Sequence, residues 1–372
     1  MNKILVFGIT ENPGGVESVV MNYYRHIDNK KIQFDFLCNT YEKVAYEDEI
    51  IKLGGKIHRI TARSKDRNKY KEEMKKFFEQ YSKEYNTIWV NVCSLANIDY
   101  LKYAKKYGIK YRIIHSHNSQ NMDSKLRKVL HKLNKLVIKK YATDFWACSD
   151  EAGEWFYNKK IMNSDKYLVV NNAIDTNKFM YNEEIRKEYR KELNIEDKFV
   201  IGNVGRLHFQ KNQEFLLDIF NEILKIDKKA CLLLVGQGED EEKLRNKVKK
   251  LEIENSVKFL GVRDDVPNLL QAMDSFVFPS VFEGLGLAII EAEATGINVF
   301  ASKSVIPELV NMSDEFHFIP LEDGPEKWAE KVISNKEYDR IETMKKAVKN
   351  IENSGYDIAT ETKKVERYFE RR

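Results

Sequence analysis

The chain is poor in the residues that cross-link or punctuate a small scaffold. It has six prolines and four cysteines in 372 residues. The cysteines (Cys38, Cys93, Cys148 and Cys231) are widely scattered, with no C-x-x-C pair and no histidine at metal-ligand spacing. That excludes a disulfide framework and a zinc ribbon, and reduced, buried thiols are expected. No apolar run approaches the ~20 residues of a membrane span. The opening MNKILVFGIT runs straight into a glycine turn without a small-residue cleavage site, so it reads as a first strand and not as a signal peptide. Neither sign of charge dominates: 62 basic residues face 58 acidic ones, a formal net charge of +4. The balance does not mark a nucleic-acid binder, and any basic partner surface must be local. A reducing, cytoplasmic setting fits these absences.

What the sequence does contain is alternation. Short apolar strands (KILVFGI, FDFLCN, KIHRI, TIWVNV, YRIIHS, DFWACS, KYLVVNN) are separated by helix-length segments, and a second series follows (FVIGNVG, ACLLLVG, VKFLG, SFVFPS, INVFAS). This is the pattern of βαβ units on parallel sheets. At this length a single core stops growing, so two doubly wound α/β domains are expected, residues 1–177 and 178–355. The charged stretch TNKFMYNEEIRKEYRKELNIEDK between the two series reads as a linker with a surface helix.

Open sheets of this kind bind ligands beyond the carboxyl ends of their strands. Four motifs lie there. In GITENPGGVESVV, Gly14 and Gly15 open a helix whose free N–H groups suit an anion, although a plain turn would look the same. In GNVGRLHFQKN, Arg206 and Lys211 precede a helix expected over residues 213–220. The arginine is suited to bidentate phosphate contact and the lysine to a point charge, against the alternative of a solvated basic loop. In VFEGLGLAIIEAEATG, Glu283 sits in a loop and Glu291 a turn into the following helix. The amides from Gly284 through Leu285 and Gly286 to Leu287 aim at an anion, and the two carboxylates can accept hydrogen bonds from hydroxyls. Glu293 reads as an ordinary exposed helix residue. In RIIHSHNS, His115 and His117 alternate at a strand end without further ligands for a metal. One of them is expected to donate a hydrogen bond to a ligand, and the alternation does not say which.

Taken in order, PGGVESVVMNYYRHID, HSHN, ACSD, VVNNAIDTNKF, GNVGRLHFQKN, LLLVGQGEDEEKLR, VKFLGVRDDV and EGLGLAIIE span nearly the whole chain. The pattern resembles the retaining glycosyltransferases of family four, the glycosyl transferases group 1. That resemblance implies a GT-B fold, two Rossmann-like domains facing a deep cleft, with a C-terminal helix over 356–372 packing back on the first, acceptor-binding domain. It implies a nucleotide-sugar donor as co-substrate, in most cases a UDP-sugar, with no other cofactor and no metal. By position, Gly15 would bring its amide to the donor phosphate while Arg206 and Lys211 bind the diphosphate. Glu283 would contact the transferring sugar, Glu291 the ribose, and the backbone near Val262 the base. His117 would hydrogen-bond the sugar near the reacting carbon. The chain departs from the family in reading Asn172-Ala173 for Asn-Gly and Gly284-Leu285-Gly286 for Gly-Phe-Gly.

One segment suggests where the acceptor comes from. Residues 125–140, KLRKVLHKLNKLVIKK, hold seven Lys or Arg and no acid, with Leu126, Val129, Leu130, Leu133 and Leu136 or Val137 at helical spacing. The segment is either a helix packed on its own domain or a basic amphipathic helix lying on an anionic membrane surface. A lipid-linked glycan acceptor would suit the second, as would a role in capsule, exopolysaccharide or other cell-surface polysaccharide assembly by a peripheral enzyme at the inner membrane face. The competing functions are a nucleotide-sugar epimerase of the same architecture, which needs further acid and base carboxylates, and a non-catalytic donor-binding partner subunit, which could dispense with Arg206, Lys211, Glu283 and Glu291.

Overall fold

The computed structural model describes residues 1–118, 125–283 and 285–372. The chain divides into two compact units, Met1–Ala173 joined by Gly355–Arg372, and Ile174–Ser354.

The first unit is built on a seven-stranded sheet, β1 (Asn2–Phe7), β2 (Ile32–Cys38), β3 (Ile57–Arg59), β4 (Thr87–Val92), β5 (Tyr111–Ser116), β6 (Asp144–Ala147) and β7 (Tyr167–Val169). Their order across the sheet is β3-β2-β1-β4-β5-β6-β7, and every pairing is parallel. Central strands are buried on both faces, which is why they read as unbroken apolar runs. Leu5, Ile88, Val90 and Ile114 enter one core with Tyr70, Phe78 and Leu101 from flanking helices. The C-terminal helix Ile358–Glu370 belongs to this unit. Its Phe369 is fully buried, with its ring 5.9 Å from Phe34 and 6.0 Å from Trp89, and Asn2 Nδ2 donates to its carbonyl at 2.8 Å.

The second unit holds β8 (Val200–Val204), β9 (Cys231–Val235), β10 (Val257–Gly261), β11 (Ser275–Phe278), β12 (Asn298–Ser302) and β13 (Phe316–Ile319), in the order β10-β9-β8-β11-β12-β13 and again all parallel. Leu216 and Phe220 of helix Gln213–Ile226 and Trp328 of helix Gly324–Ser334 pack with Ile201, Leu232, Leu234 and Val277. That first helix is longer than its expected end at residue 220, because Ile223 continues the buried stripe.

The charged stretch after residue 174 is part of this unit and not a free linker. Its helix Glu183–Glu192 is capped by Asn182, whose side chain accepts from the amides of Glu184 and Ile185. The helix is clamped by two arginines. Arg186 donates to the carbonyls of Gln271 and Met273 at 2.9 Å each and pairs with Asp274, while Arg190 donates to Ala272 O at 2.9 Å and to Asp274 at 3.1 Å. A helix with almost no apolar residues thus docks by satisfying the carbonyls at the C-terminal end of helix Val266–Ala272, which would otherwise be left without donors.

Each sheet reverses its strand order once, between β1 and β4 in the first and between β8 and β11 in the second. At such switch points adjacent loops splay apart and leave a crevice at the carboxyl edge. The residues singled out from the sequence lie at or after β1, β5, β8, β10 and β11, and those after β1, β8 and β11 flank a switch point.

Candidate active site

In the first unit, Gly14 precedes helix Gly15–His26 in extended conformation and its carbonyl accepts the Ser18 amide at 2.9 Å. A Cβ on Gly15 would meet nothing within 4 Å. Packing in the unliganded protein therefore does not demand a glycine at this position. The sequence reading missed Glu17, which is buried in the first turn of this helix. Its Oε1 accepts from Thr10 Oγ1 at 2.6 Å. Burial pushes its carboxyl up, and hydrogen bonds from Thr10 and from nearby backbone amides only partly oppose the rise. The helix N-terminus is thus faced by one of the protein's own carboxylates.

The histidine pair separates by depth. His115 is fully buried, stacked on Trp89 at 5.8 Å and edge-on to Trp146 at 5.9 Å. Burial lowers its pKa well below the usual range. His117, one residue past β5, is partly exposed, with its ring 4.1 Å from that of His115. Of the two rings His117 is the less buried, with its Nδ1 atom itself covered and without a hydrogen-bond partner among the described residues. Its Nε2 lies 2.9 Å from Asn91 Oδ1, and Asn91 Nδ2 donates to Phe7 O at 3.3 Å. The Asn91 amide is oriented by that second bond, so its oxygen accepts from His117 Nε2–H and the lone pair sits on Nδ1. Burial moves the His117 pKa down to about 4, against a contact with the Asn172 side chain. The imidazole is neutral at neutral pH and able to accept a hydrogen bond.

In the second unit the loops after β8 and β11 are laced together. Val281 N donates to Gln210 O at 2.8 Å, Gln210 Nε2 to Phe282 O at 3.1 Å, and Asn212 Nδ2 to Pro279 O at 3.0 Å. This lacing brings Lys211 Nζ to 2.6 Å from Glu283 Oε1, with side chains only 18% and 6% exposed, and 4.7 Å from the Phe278 ring. Arg206 is exposed and held bidentately by Glu239 at 3.0 and 2.8 Å, a partner not foreseen from the sequence. Glu239 reaches it because the loops after β8 and β9 pack backbone to backbone: a Cβ on Gly238 would stand 2.1 Å from Leu207 O. Only glycine fits there.

Leu285 is buried, and Gly286 precedes helix Leu287–Ala294 with φ 77° and ψ 54°, the left-handed region that glycine adopts without strain. Gly284 lies outside the described residues. Glu291 is partly exposed, and burial alone raises its pKa to about 7. Glu293 is fully buried and not an exposed helix residue as expected. Its Oε1 accepts from Met312 N at 2.9 Å and Ser313 Oγ at 3.1 Å. The helix is covered on nearly all sides, so a polar residue in it is not thereby solvent-facing. Val262, just past β10, is 50% exposed, and the neighbouring Arg263 is tied to Asp265. Cys38, Cys148 and Cys231 are buried, whereas Cys93 is exposed, contrary to expectation.

Among the described residues, no group of three or more His, Cys, Asp or Glu side chains is placed to hold a metal ion, and no helix is long and apolar enough to cross a membrane.

The second unit thus places Arg206 and Lys211 on the loop after β8, and Glu283 with a helix N-terminus on the loop after β11. Residues 198–335 match the family model for glycosyl transferases group 1. The chain is 28% identical over 307 residues to the putative glycosyltransferase EpsF of Bacillus subtilis (strain 168), covering 79% of this chain and 77% of that one. It is 25% identical over 349 residues to the capsular polysaccharide biosynthesis glycosyltransferase CapH of Staphylococcus aureus, covering 91% and 92%. An Escherichia coli UDP-Gal:alpha-D-GlcNAc-diphosphoundecaprenol alpha-1,3-galactosyltransferase is 29% identical over 195 residues, covering 51% and 50%. In fold, the chain superposes on Anabaena HepE, solved in complex with UDP and glucose, with TM-score 0.80 over all of both chains at 19% identity. The chain is a glycosyltransferase with the GT-B fold, and its glycosyl transferases group 1 domain lies in the second unit.

Proposed function

We propose that the chain transfers a hexosyl unit from a UDP-sugar to a lipid-linked glycan during assembly of a cell-surface polysaccharide. In this reading it retains the anomeric configuration, uses no divalent cation, and works in the cytoplasm at the inner face of the membrane. The observation that carries the reading is the close pair between Lys211, on the loop after β8, and Glu283, on the loop that leads into the glycine-started helix Leu287–Ala294. A cation and helix N-terminal amides make a diphosphate site, and a carboxylate beside them suits sugar hydroxyls.

As the bond between the anomeric carbon and the β-phosphate oxygen breaks, negative charge gathers on the leaving UDP. Arg206, Lys211 and the amides of Gly286 and Leu287 stabilise it, a preorganised electrostatic role that a metal would otherwise fill. The acceptor hydroxyl attacks the same face of the sugar, and its proton passes to the departing phosphate oxygen. Glu283 accepts hydrogen bonds from the transferring sugar and Glu291 from the ribose, while the backbone near Val262 reads the base. Gly14 and Gly15 let an amide approach the donor phosphate, and neutral His117 hydrogen-bonds the sugar near the reacting carbon. The activity of the E. coli relative, with a UDP-sugar donor and a diphosphoundecaprenol-linked acceptor, supports this choice of substrates.

The test is a panel of UDP-, GDP- and ADP-hexoses incubated with a lipid acceptor extract, with and without chelator, reading released nucleotide and the anomeric proton coupling of the product. Release of UDP that survives chelator, with an α-linked product from an α-linked donor, is expected. No release from any donor would overturn the reading.

A further inference from the structure

Helix Lys125–Val137 of the first unit is packed the wrong way round for a globular domain. Its one buried residue is a histidine. His131 Nδ1 accepts from Leu95 N at 3.1 Å, Nε2 lies 3.1 Å from Trp155 O, and the ring stacks on Trp155 at 4.3 Å. Beside it Asn134 Nδ2 donates to Leu95 O at 2.6 Å and Lys135 Nζ to Trp155 O at 2.9 Å. The inward face is therefore polar and fixed by directional hydrogen bonds, which set the rotation of the helix about its axis.

The outward face is apolar. Leu126, Val129, Leu133, Leu136 and Val137 are 69%, 53%, 56%, 81% and 42% exposed. At 3.6 residues per turn these five positions fall within an arc of about 100°. Isolated exposed apolar residues are ordinary, but a continuous stripe on a helix pinned by its polar side is not. Along one edge of the stripe lie exposed Lys125, Lys128 and Lys132, none of which is ion-paired with a described residue. Residues 125–140 hold seven cations and no acid. A protein partner would have to offer a matching apolar groove with an acidic rim. An anionic bilayer offers both at once, an apolar interior under a negative headgroup layer, and lysine stems of this length reach from one to the other.

We propose that this face is the surface by which the protein docks on a membrane rich in anionic lipid, with the five apolar side chains inserted at the headgroup boundary and the lysines at the phosphates. His131 and Asn134 act as the pins that present it. The inference rests on the lipid-linked acceptor reading for its purpose only, since vesicle binding is measured without donor or acceptor.

The experiment is co-sedimentation of the full chain with vesicles of phosphatidylcholine alone, or of phosphatidylglycerol mixed with phosphatidylcholine. Binding to the mixed vesicles only, weakened by salt, is expected. The double variant Leu133→Glu/Leu136→Glu should bind at least about tenfold more weakly, and the triple variant Lys125→Gln/Lys128→Gln/Lys132→Gln should lose most of the salt dependence. All substituted side chains are exposed, so circular dichroism and melting should match the wild type. Equal sedimentation of wild type and the leucine variant, or no sedimentation of either, overturns the proposal, as does self-association abolished by the same leucine changes without vesicle binding. UDP-sugar turnover that persists when vesicle binding fails would leave the transferase reading standing, and the converse result would leave the docking surface standing.

Discussion

Replacing Glu291 by glutamine should make the unliganded protein more stable at alkaline pH while removing its response to nucleotide. Burial alone raises the Glu291 carboxyl from 4.5 to about 7. The folded state therefore holds its proton more tightly than the unfolded chain between those values. Stability from this group is full below the unfolded value and declines as pH rises through the folded one, because the unfolded state then binds fewer protons. From 4.5 to about 7 is about 2.5 pKa units, which at 1.36 kcal/mol per unit amounts to at most about 3 kcal/mol at pH 8. The residue is partly exposed, so water reduces this ceiling. Glutamine keeps the shape without a charge to desolvate. Near pH 5 the variant and the wild type should melt within about 2 °C of each other, and near pH 8 the variant should melt higher by up to about 10 °C for a unit of this size. Added UDP should raise the wild-type melting temperature and leave that of the variant nearly unchanged, because the carboxylate that destabilises the empty site is the group assigned to the ribose. Thermal melts at both pH values with and without UDP read all four quantities. A variant no more stable than wild type at pH 8, or an advantage equal at both pH values, would refute the reasoning.

Further substitutions at four positions test the packing and the site separately. Gly15→Ala should melt at or slightly above the wild-type temperature, since its Cβ meets open space, while transfer falls at least about tenfold. Lys211→Met leaves the nearly buried Glu283 carboxylate without its cation and should lower stability by about 3 kcal/mol, and adding Glu283→Gln should restore most of that, as read by urea denaturation. Burial holds the Glu293 carboxyl well above its ordinary range, so Glu293→Gln should change stability by less than about 1 kcal/mol at neutral pH. Glu293→Ala strands the Met312 amide and the Ser313 hydroxyl and should cost about 2 to 3 kcal/mol.

The strands were the most legible part of the fold. Parallel strands buried on both faces must be apolar throughout, and twelve of the thirteen described stand out as runs. The exception is β13, the four-residue strand FHFI. The motif positions were legible because ligand loops must follow strand ends, but their pairings were not. Nothing in the spacing says that Glu239 reaches Arg206, a contact that depends on Gly238 letting two loops touch. Polarity misled at Glu293, where a carboxylate is buried to tie a helix to the 312–313 backbone. It misled again in Glu183–Glu192, where arginines do the docking usually done by leucines. In helix Lys125–Val137 the periodicity was plain, and only the packing could show that its apolar stripe faces outward.

The claim on which the account turns is that the loops after β8 and β11 form the nucleotide diphosphate site. Calorimetric titration of UDP into the wild type and into Lys211→Met/Glu283→Gln, a variant expected to keep its stability, tests it most directly. The account predicts binding to the wild type without added metal and a loss of affinity of at least about tenfold in the variant, the loss of one charge-assisted phosphate contact. Equal affinity in the two proteins would contradict it.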